Sequence, residues 1–549
     1  MKLDTILENG RIYTIDPNYP VAQRIGILHG KVVGLDAELD GVDAHTRIDL
    51  QGAPVVPGFN DAHMHFSMMG IEMSRLDLSY ENTASLEELY TKVEAYANQL
   101  PQDAWILGQG YDQNKIGGHP ELHMLDKISG GRPTYLLHNS HHMAVANTHA
   151  FHRAGHTDLA TLEPPSGGEL GRYHDGSVNG LLQEQAMNLI GHLLKPVPQE
   201  DIIRGLATAS RWALRNGITS ATEPGVSGDL IGNGPADVRA FQTAIARDEL
   251  QVRMTVMPYI TALHSLGDIS GTEGWGMDLG MVSGFGNDRL RIGPVKVASD
   301  GSLIGRTAAM CCDYHDVPGN SGFLQWEAHE LREMLIDAHC NGWQIAAHAI
   351  GDRALDVVLD IFDDAHGLLP RHDPRHRIEH TAVASDQQIQ RIISGRYIPV
   401  PQGRFISTLG DGFLSALGTE RVELAYRMRS FVDSGVELPG STDAPVVPGE
   451  ALVSIHDMVN RTTDGGTIIN AAEALTVGQA LRAYTHGSAY AVHEEHLKGM
   501  LTVGKLADLV VLSDDLFQVR TDQIKHLEVR ATMVDGTFAY DAEGVWATA

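Results

Sequence analysis

Short apolar runs alternate with amphipathic segments of helical period across residues 198–443, and this alternation restricts the fold more than any other feature. Residues 200–217 show helical spacing and stop at Gly217, and the apolar run ITSATE follows them. Six further apolar runs alternate with helical segments: QVRMTVMPYI, LRIGPVKVAS, WQIAAHAI, RIEHTAV, YIPVPQG and VELPGSTDA. The last of these helical segments is RVELAYRMRSFVDSG, and PVVPGFNDAHMHF adds one more apolar run in front. Eight strands in strand–helix alternation predict an α/β fold of the (β/α)8 TIM barrel type.

The two ends of the chain have a different pattern. Residues 1–55 contain short β-rich runs with an Asn-Gly hairpin signal at Asn9-Gly10. Strand-like runs return near the end, at ADLVVLSDD and HLEVRATMVDG. We therefore predict a small β-sandwich built from 1–55 and 491–549, beside the barrel, which covers 56–490. An α/β insertion after the first barrel strand, rich in His, Gly and Pro, would occupy about 67–197.

Composition excludes several classes of protein. The 41 Lys and Arg residues against 70 Asp and Glu residues give a net charge of −29, which repels nucleic acid and anionic membranes. Three cysteines rule out a disulfide framework. The N-terminus lacks the apolar core of a signal peptide, and no run reaches the roughly 18 apolar residues of a membrane span. We expect a cytoplasmic protein with a small-molecule substrate, no nucleic acid and no membrane partner; a homo-oligomer stays open.

Polar residues of metal-ligand type end several of the predicted strands. They are His63, His65, Lys296, His348, His380 and Asp443. His63 and His65 are two positions apart, so in a strand both imidazoles point to the same face. The other four lie at or near the carboxyl ends of separate predicted strands, which is where barrel active sites form.

These residue types together predict a metal site. Imidazole and carboxylate groups are ordinary ligands of divalent metals. Lys296 lies within an apolar run, and an unpaired ammonium is costly to bury, so this lysine must be paired or chemically altered. If CO2 carbamylates Lys296, the product is an anionic oxygen ligand that can bridge two metal ions.

The motifs also resemble those of a known family. The segments PGFNDAHMHF, KVASDGSLIGRTA, HAIGDRA, RIEH, GSTDAP and GKLADLVVL are similar to those of the metal-dependent amidohydrolase superfamily. The likeness is to its YtcJ-like branch, which includes N-substituted formamide deformylases, and it covers about residues 3–536. This resemblance implies a (β/α)8 barrel with a small β-sandwich built from both termini.

The resemblance also implies roles for individual residues. His63, His65, His348 and His380 would be metal ligands, and Lys296 would be the carboxylated lysine that bridges two ions. Asp443 would be both a ligand and the general base. The cofactor would be one or two divalent ions, with zinc expected, together with the CO2-derived group on Lys296.

Several further residues are candidates for substrate contact. By likeness to the branch, Tyr111, Asp112 and His142 would line the substrate pocket. Arg306 would either grip a carboxylate or carbonyl of the substrate or form a surface salt bridge. Glu223 stands where the branch has an aspartate, and it could be a ligand, a substrate contact or a structural carboxylate; we favour the structural interpretation.

The sequence thus predicts a hydrolase that cleaves the carbon–nitrogen bond of an amide or N-substituted formamide with a metal-activated hydroxide. One alternative is a deaminase of a cyclic amidine-like substrate on the same barrel, but such deaminases usually lack the bridging lysine. The other alternative is a non-catalytic binding protein, against which the complete ligand set argues.

Overall fold

Two compact units divide the chain. The first contains Met1–Ser67 and Ala209–Ala549, and the second contains Met68–Thr208. The computed structural model describes residues 2–79, 82–138, 143–165, 168–228, 232–269 and 272–546. All six candidate metal ligands belong to the first unit, so this unit positions the site.

Two parallel four-stranded sheets carry the candidate ligands. The first has the strand order Leu290–Ile292, Arg253–Pro258, Ile218–Val226, Phe59–Asp61. The second has the order Val295–Ala298, Ile345–Ala349, Arg377–His380, Ile398–Val400. Their strands are almost entirely buried, as expected for parallel sheets covered by helices on the outside.

The two sheets are linked at both edges. A parallel bridge between Tyr259 and Lys296 connects the first sheet to the second. At the other edge, Gln402 bridges Ser441, and the peptide N–H of Ala62 donates to Gly440 O at 2.9 Å. The segment that leads to Asp443 therefore lies between Ile398–Val400, at the edge of the second sheet, and Phe59–Asp61, at the edge of the first.

Three predicted strands differ in the structure. The run PVVPGFNDAHMHF was predicted as one strand, but it forms Pro54–Pro57, which pairs with Leu509–Leu512, and Phe59–Asp61, which joins the first parallel sheet. The run LRIGPVKVAS was predicted as one strand, but it forms two, Leu290–Ile292 and Val295–Ala298. Pro294 interrupts the ladder because it has no N–H to donate. The run VELPGSTDA was predicted as a strand, but it makes only the single bridge at Ser441.

The helices occur between strands and also after the last strand of the two parallel sheets. In chain order the α-helices are Phe66–Met73, Leu86–Ala97, Gln113–Ile116, Leu122–Ile128, Thr148–Arg153, Asn188–Gly191, Gln199–Arg215, Asp237–Ala246, Ala328–Cys340, Asp352–Leu368, Asp386–Gly395, Arg404–Arg421, Met428–Asp433, Ala451–Asn460, Val477–Arg482 and Ser488–Tyr490. Local sequence sets their ends: Ser385 and Gln388 form a capping box at the start of Asp386–Gly395. No helix in the described parts of the chain is long and apolar enough to cross a bilayer.

Both ends of the chain contribute strands to one mixed sheet of six strands, with parallel and antiparallel neighbours. Its order is Thr537–Asp541, Val529–Val534, Leu509–Leu512, Pro54–Pro57, Arg11–Tyr13, Val21–Ala22. A second sheet has the order Lys31–Leu35, Ile25–Leu28, Leu3–Glu8, Ala44–Asp49. Side chains of both sheets, including Leu7, Ile27, Val55 and Val511, share one buried apolar cluster. The expected pairing of N-terminal with C-terminal strands is therefore present in Pro54–Pro57 against Leu509–Leu512.

The remaining strands form two further sheets. The second unit is built on the order Gly168–Arg172, Val178–Glu184, Met143–Ala146, Thr134–His138, Ile106–Tyr111, Leu76–Asp77. Its helix Leu86–Ala97 buries Leu89 and Val93 in an apolar cluster with Ile106 and Leu136. In the first unit, His264–Ile269 and Thr272–Gly276 pair as a separate antiparallel ribbon.

Candidate metal centre

The carboxylate of Asp443 lies at the centre of the site. The residue is buried and has a left-handed backbone with φ of 63°, and its peptide N–H donates to His63 O at 2.8 Å. His63 Nε2 and His65 Nε2 each lie 3.3 Å from Asp443 Oδ1, yet Oδ1 accepts no hydrogen bond. Two imidazole nitrogens and a carboxylate oxygen therefore converge without a hydrogen bond between them, which is the arrangement that a metal ion resolves.

The ionisation state of Asp443 suits a ligand. Burial alone would raise the pKa of this carboxyl, but the adjacent His63 and His65 rings hold the pKa well below its ordinary value. The carboxylate is therefore the form present near neutral pH.

The backbone around the two histidines is fixed by Asp61. The Asp61 carboxylate accepts the peptide N–H of His63 at 3.0 Å, the N–H of Thr442 at 3.2 Å and the Thr442 hydroxyl at 2.6 Å. One buried side chain thus ties the end of Phe59–Asp61 to the residue before Asp443. The rings of His63 and His65 have centroids 5.6 Å apart, although both residues follow the strand Phe59–Asp61 and do not lie within it as the sequence analysis expected.

His380 completes the cluster that the structure brings together. Among the described residues, the ligand atoms of His63, His380 and Asp443 all lie within 4.8 Å of one another. His380 Nδ1 donates to Gln402 Oε1 at 2.8 Å, since the Gln402 amide N–H groups are used by Val400 O and Ser441 Oγ. Burial lowers the pKa of His380 well below its ordinary value, so the ring is neutral and its Nε2 carries a free lone pair.

His348 lies beside this cluster. Its ring packs edge-on against His380 with centroids 4.5 Å apart. Its Nε2 lies 2.9 Å from Gly301 O and 3.2 Å from Asp300 Oδ1. Asp300 is a contact that the sequence analysis missed, although it lies in the quoted segment KVASDGS.

Lys296 points from the middle of Val295–Ala298 and is only 3% exposed. Among the residues that the structure describes, none forms a hydrogen bond or ion pair with its Nζ. Burial lowers the pKa of Lys296 to about 8, against the opposing effect of Glu379 and Asp443. The amine is thus much closer to its neutral form than an exposed lysine is.

Glu379 and Arg377 are further buried charges that the sequence analysis did not assign. His63 Nδ1 donates to Glu379 Oε2. Arg377 Nε donates to Glu379 Oε1 at 2.8 Å, and its Nη2 donates to Oε2 at 2.9 Å. Both stand in the predicted strand RIEHTAV, where, as for Lys296, a charge inside a buried strand needs a partner.

Glu223 lies near His65, but its hydrogen bonds are with Ser67. Its carboxyl accepts the N–H of Ser67 at 2.8 Å and the Ser67 hydroxyl at 2.9 Å. Burial raises the pKa of Glu223 to about 7, and the charge of His65 opposes that shift. These contacts hold the turn that follows His65, in keeping with the structural interpretation that we favoured.

A family comparison agrees with this chemistry. A family model described as the amidohydrolase family matches residues 46–540. The chain belongs to this family. The matched region contains every candidate ligand, and the resemblance read from the sequence motifs is confirmed.

Two relatives of this amidohydrolase align over nearly its whole length. The putative amidohydrolase YtcJ of Bacillus subtilis (strain 168) is 28% identical over 98% of this chain and 100% of its own length. The N-substituted formamide deformylase of Arthrobacter pascens is 25% identical over 98% of this chain and 99% of its own length.

A solved structure gives the same result. An uncharacterized metal-dependent hydrolase from Pyrococcus horikoshii OT3 is 27% identical, with a TM-score of 0.75, and the match covers 94% of this chain and 99% of that one. This amidohydrolase is thus an enzyme, a hydrolase of carbon–nitrogen bonds in a family that uses a divalent metal. The non-catalytic alternative is set aside.

The proposed substrate contacts of this amidohydrolase have partners of their own. Arg306 Nε donates to Asp316 Oδ1 at 3.0 Å, and its Nη1 donates to two backbone carbonyls. In the second unit, Tyr111 is buried and its hydroxyl lies 3.1 Å from His119 Nδ1, while Asp112 caps a short helix by accepting the N–H of Asn114. His142 lies outside the described residues. These substrate contacts stay predictions.

Proposed function

We propose that this amidohydrolase cleaves the carbon–nitrogen bond of an amide or N-substituted formamide with water activated at a divalent metal, zinc in one or two copies. The observation that carries the proposal is the convergence of His63, His380 and Asp443 around a buried carboxylate oxygen without a hydrogen bond. The donor set fits zinc, since imidazole nitrogen and carboxylate oxygen are among its ordinary ligands. The formamide substrate class is supported by the deformylase relative.

His63, His65, His348, His380 and Asp443 would hold the metal, together with Lys296. A bound divalent ion lowers the pKa of water towards about 7 and polarises a carbonyl oxygen. Asp443 then accepts the proton of the attacking water and returns it to the departing nitrogen. The carbon–oxygen bond forms as the carbon–nitrogen bond breaks, and the products are a carboxylic acid and an amine. For a formamide the acid is formate.

Carboxylation of Lys296 belongs to the same proposal. The neutral amine adds to CO2, an N–C bond forms, one proton leaves to solvent, and a carbamate with one negative charge results. Two features support it: the side chain is buried with no polar partner among the described residues, and burial lowers its pKa. The change would replace an unpaired buried cation with an anionic ligand.

The proposal also includes the architecture expected from the sequence. We take the two parallel sheets as one (β/α)8 barrel over 56–490, with the terminal strands of 1–55 and 491–549 as its β-sandwich. The links at both sheet edges support closure of the barrel. The insertion over about 67–197 belongs to the same proposal.

Metal content and hydrolysis, measured on the same preparations, test this function. Wild type and Lys296→Ala are purified with zinc and bicarbonate, and formate and amine release are assayed on a panel of N-substituted formamides and amides. We expect about two zinc ions per chain in wild type, a loss in Lys296→Ala, and hydrolysis by wild type only. One ion in both proteins, with ammonia release from cyclic amidines, would favour the deaminase. Wild type without metal would overturn the proposal.

A further inference from the structure

Arg377 and Glu379 form a buried ion pair, named here the ionic relay, beside Nδ1 of His63. Arg377 and Glu379 are two positions apart on Arg377–His380, so their side chains share one face of the strand. Both side chains have no exposed surface, and they form two hydrogen bonds of 2.8 and 2.9 Å with each other. A guanidinium is always protonated, and this fork geometry is the one that binds an ionised carboxylate. Glu379 is therefore a fixed, buried anion.

The relay determines which nitrogen of His63 is free. Glu379 is an acceptor only, so the contact between His63 Nδ1 and Glu379 Oε2 requires the proton to be on Nδ1. The opposite nitrogen, Nε2, faces Asp443 Oδ1 at 3.3 Å. Glu379 thus aims the lone pair of His63 at the position where the ligand atoms converge.

The other central histidine has a neutral support. His380 Nδ1 donates to the amide oxygen of Gln402, whose own N–H groups bind Val400 O at 3.0 Å and Ser441 Oγ at 3.0 Å. Both rings therefore have the same tautomer, but only His63 has an anion behind it. A carboxylate that accepts from a ligand imidazole raises the basicity of that ligand more than an amide does.

Arg377 also fixes the relay to the backbone of the neighbouring segment. Its Nη2 donates to Ala62 O at 2.7 Å, one residue before His63. The same guanidinium therefore positions both the carboxylate that binds the His63 ring and the peptide that carries it. Neither the ring nor its acceptor can shift alone.

We propose that Glu379 is a positioning residue, held by Arg377, that fixes the Nδ1–H tautomer of His63 and makes His63 the more strongly donating of the two central histidine ligands. The inference rests on the proposed function, because it requires that His63 bind a metal ion. It adds a determinant of metal affinity that lies outside the ligand set.

Zinc affinity of the metal-free protein tests this proposal without reference to turnover. Apo wild type, Glu379→Gln and the control Glu473→Gln are titrated with zinc in bicarbonate buffer against a chromophoric chelator. Glu473 is a suitable control because it is also a buried carboxylate, with Arg427 Nε at 3.3 Å, and contacts no candidate ligand. We expect Glu379→Gln to weaken zinc binding about 10- to 100-fold and Glu473→Gln to leave it unchanged.

The outcomes separate this inference from the function on which it rests. Equal zinc affinity in wild type and Glu379→Gln would overturn the inference alone. This holds even if the two apo proteins differ in stability against urea. Wild type that binds no zinc would overturn the proposed function and the inference together. If Glu379→Gln fails to fold, 15N-labelled histidine spectra of zinc-loaded wild type decide: a protonated, exchange-protected Nδ1 and a metal-bound Nε2 at His63 are expected, and the reverse tautomer would refute the proposal.

Discussion

At the residue scale, the proposed mechanism gives one carboxylate two roles, metal ligand and general base. Asp443 is buried and faces His63 and His65 at 3.3 Å, and it stays ionised because these neighbouring rings hold its pKa well below the ordinary value. An asparagine keeps the shape and an oxygen that can approach a metal, but it cannot accept a proton.

The predicted consequence is a loss of catalysis that exceeds the loss of metal. Asp443→Asn should lower kcat/KM by about 10²- to 10⁴-fold, the usual contribution of a general base, while zinc remains measurable by elemental analysis. Asp386→Asn is the control, because Asp386 is exposed and pairs only on the surface with Arg427. Full activity in Asp443→Asn would show that another group takes the proton.

Residue types and their positions indicated the candidate ligands, but not the buried residues that hold those ligands in place. His63, His348, His380 and Asp443 are polar groups at or near the ends of predicted strands, a pattern visible in the sequence. The contact of Glu379 with His63 joins residues 316 positions apart, and its existence depends on how two strands face each other. A sequence shows that a buried charge needs a partner, but it does not show which partner it has.

At the element scale, two histidines join a helix end to a strand start in the second parallel sheet. His376 Nε2 donates to His339 Nδ1 at 2.8 Å, and His339 Nε2 donates to Leu369 O at 2.7 Å. His376 Nδ1 accepts the N–H of Ile345 at 3.1 Å, so the chain of bonds requires both rings to be neutral. Burial lowers the pKa of both histidines, and the nearby positive groups Arg371 and His366 lower it further.

The sign of the resulting pH dependence follows from linkage. In the unfolded chain these rings titrate near pH 6.5, whereas in the folded protein they titrate lower. Their contribution to stability is therefore complete above about pH 6.5 and is lost as the pH falls towards the folded pKa values. We expect urea midpoints to fall from pH 7.5 to pH 5, and to fall less steeply in His376→Asn. Parallel pH profiles in the two proteins would contradict this.

Helix and strand boundaries were predictable where the hydrophobic pattern decides them, but not where a tertiary contact does. WQIAAHAI was predicted as a strand and contains Ile345–Ala349. The predicted helix RVELAYRMRSFVDSG is instead broken at Tyr426, whose φ of 49° is left-handed. Its α-helical residues are Arg421, which ends Arg404–Arg421, and Met428–Asp433. The Tyr426 peptide N–H donates to Ala382 O at 2.8 Å, a tertiary bond that overrides the helical period.

At the scale of the whole molecule, a buried ion cluster joins the parallel sheets to the sheet built from both termini. Arg253, on Arg253–Pro258, is 1% exposed and binds Asp508 through Nε at 2.7 Å and Nη2 at 3.1 Å. Its Nη2 also contacts Asp535, which lies in the turn between the last two strands. The sequence predicted that the termini pair with each other, but the attachment to Arg253 links positions 255 residues apart and could not be read from it.

Breaking this cluster should destabilise the first unit as a whole. Removing one partner of a buried ion pair leaves an uncompensated charge and typically costs about 3–5 kcal/mol. In Asp508→Asn the half-exposed Asp535 still faces Arg253, so we expect a cost of about 3 kcal/mol in urea unfolding, near the lower limit of that range. Asp535→Asn, the matched control, should cost only about 1 kcal/mol because its carboxylate is 43% exposed. Equal effects of the two variants would show that burial of Asp508 does not set the strength of the attachment. Zinc content per folded molecule should stay unchanged in both, because Arg253 and its partners contact none of the candidate ligands.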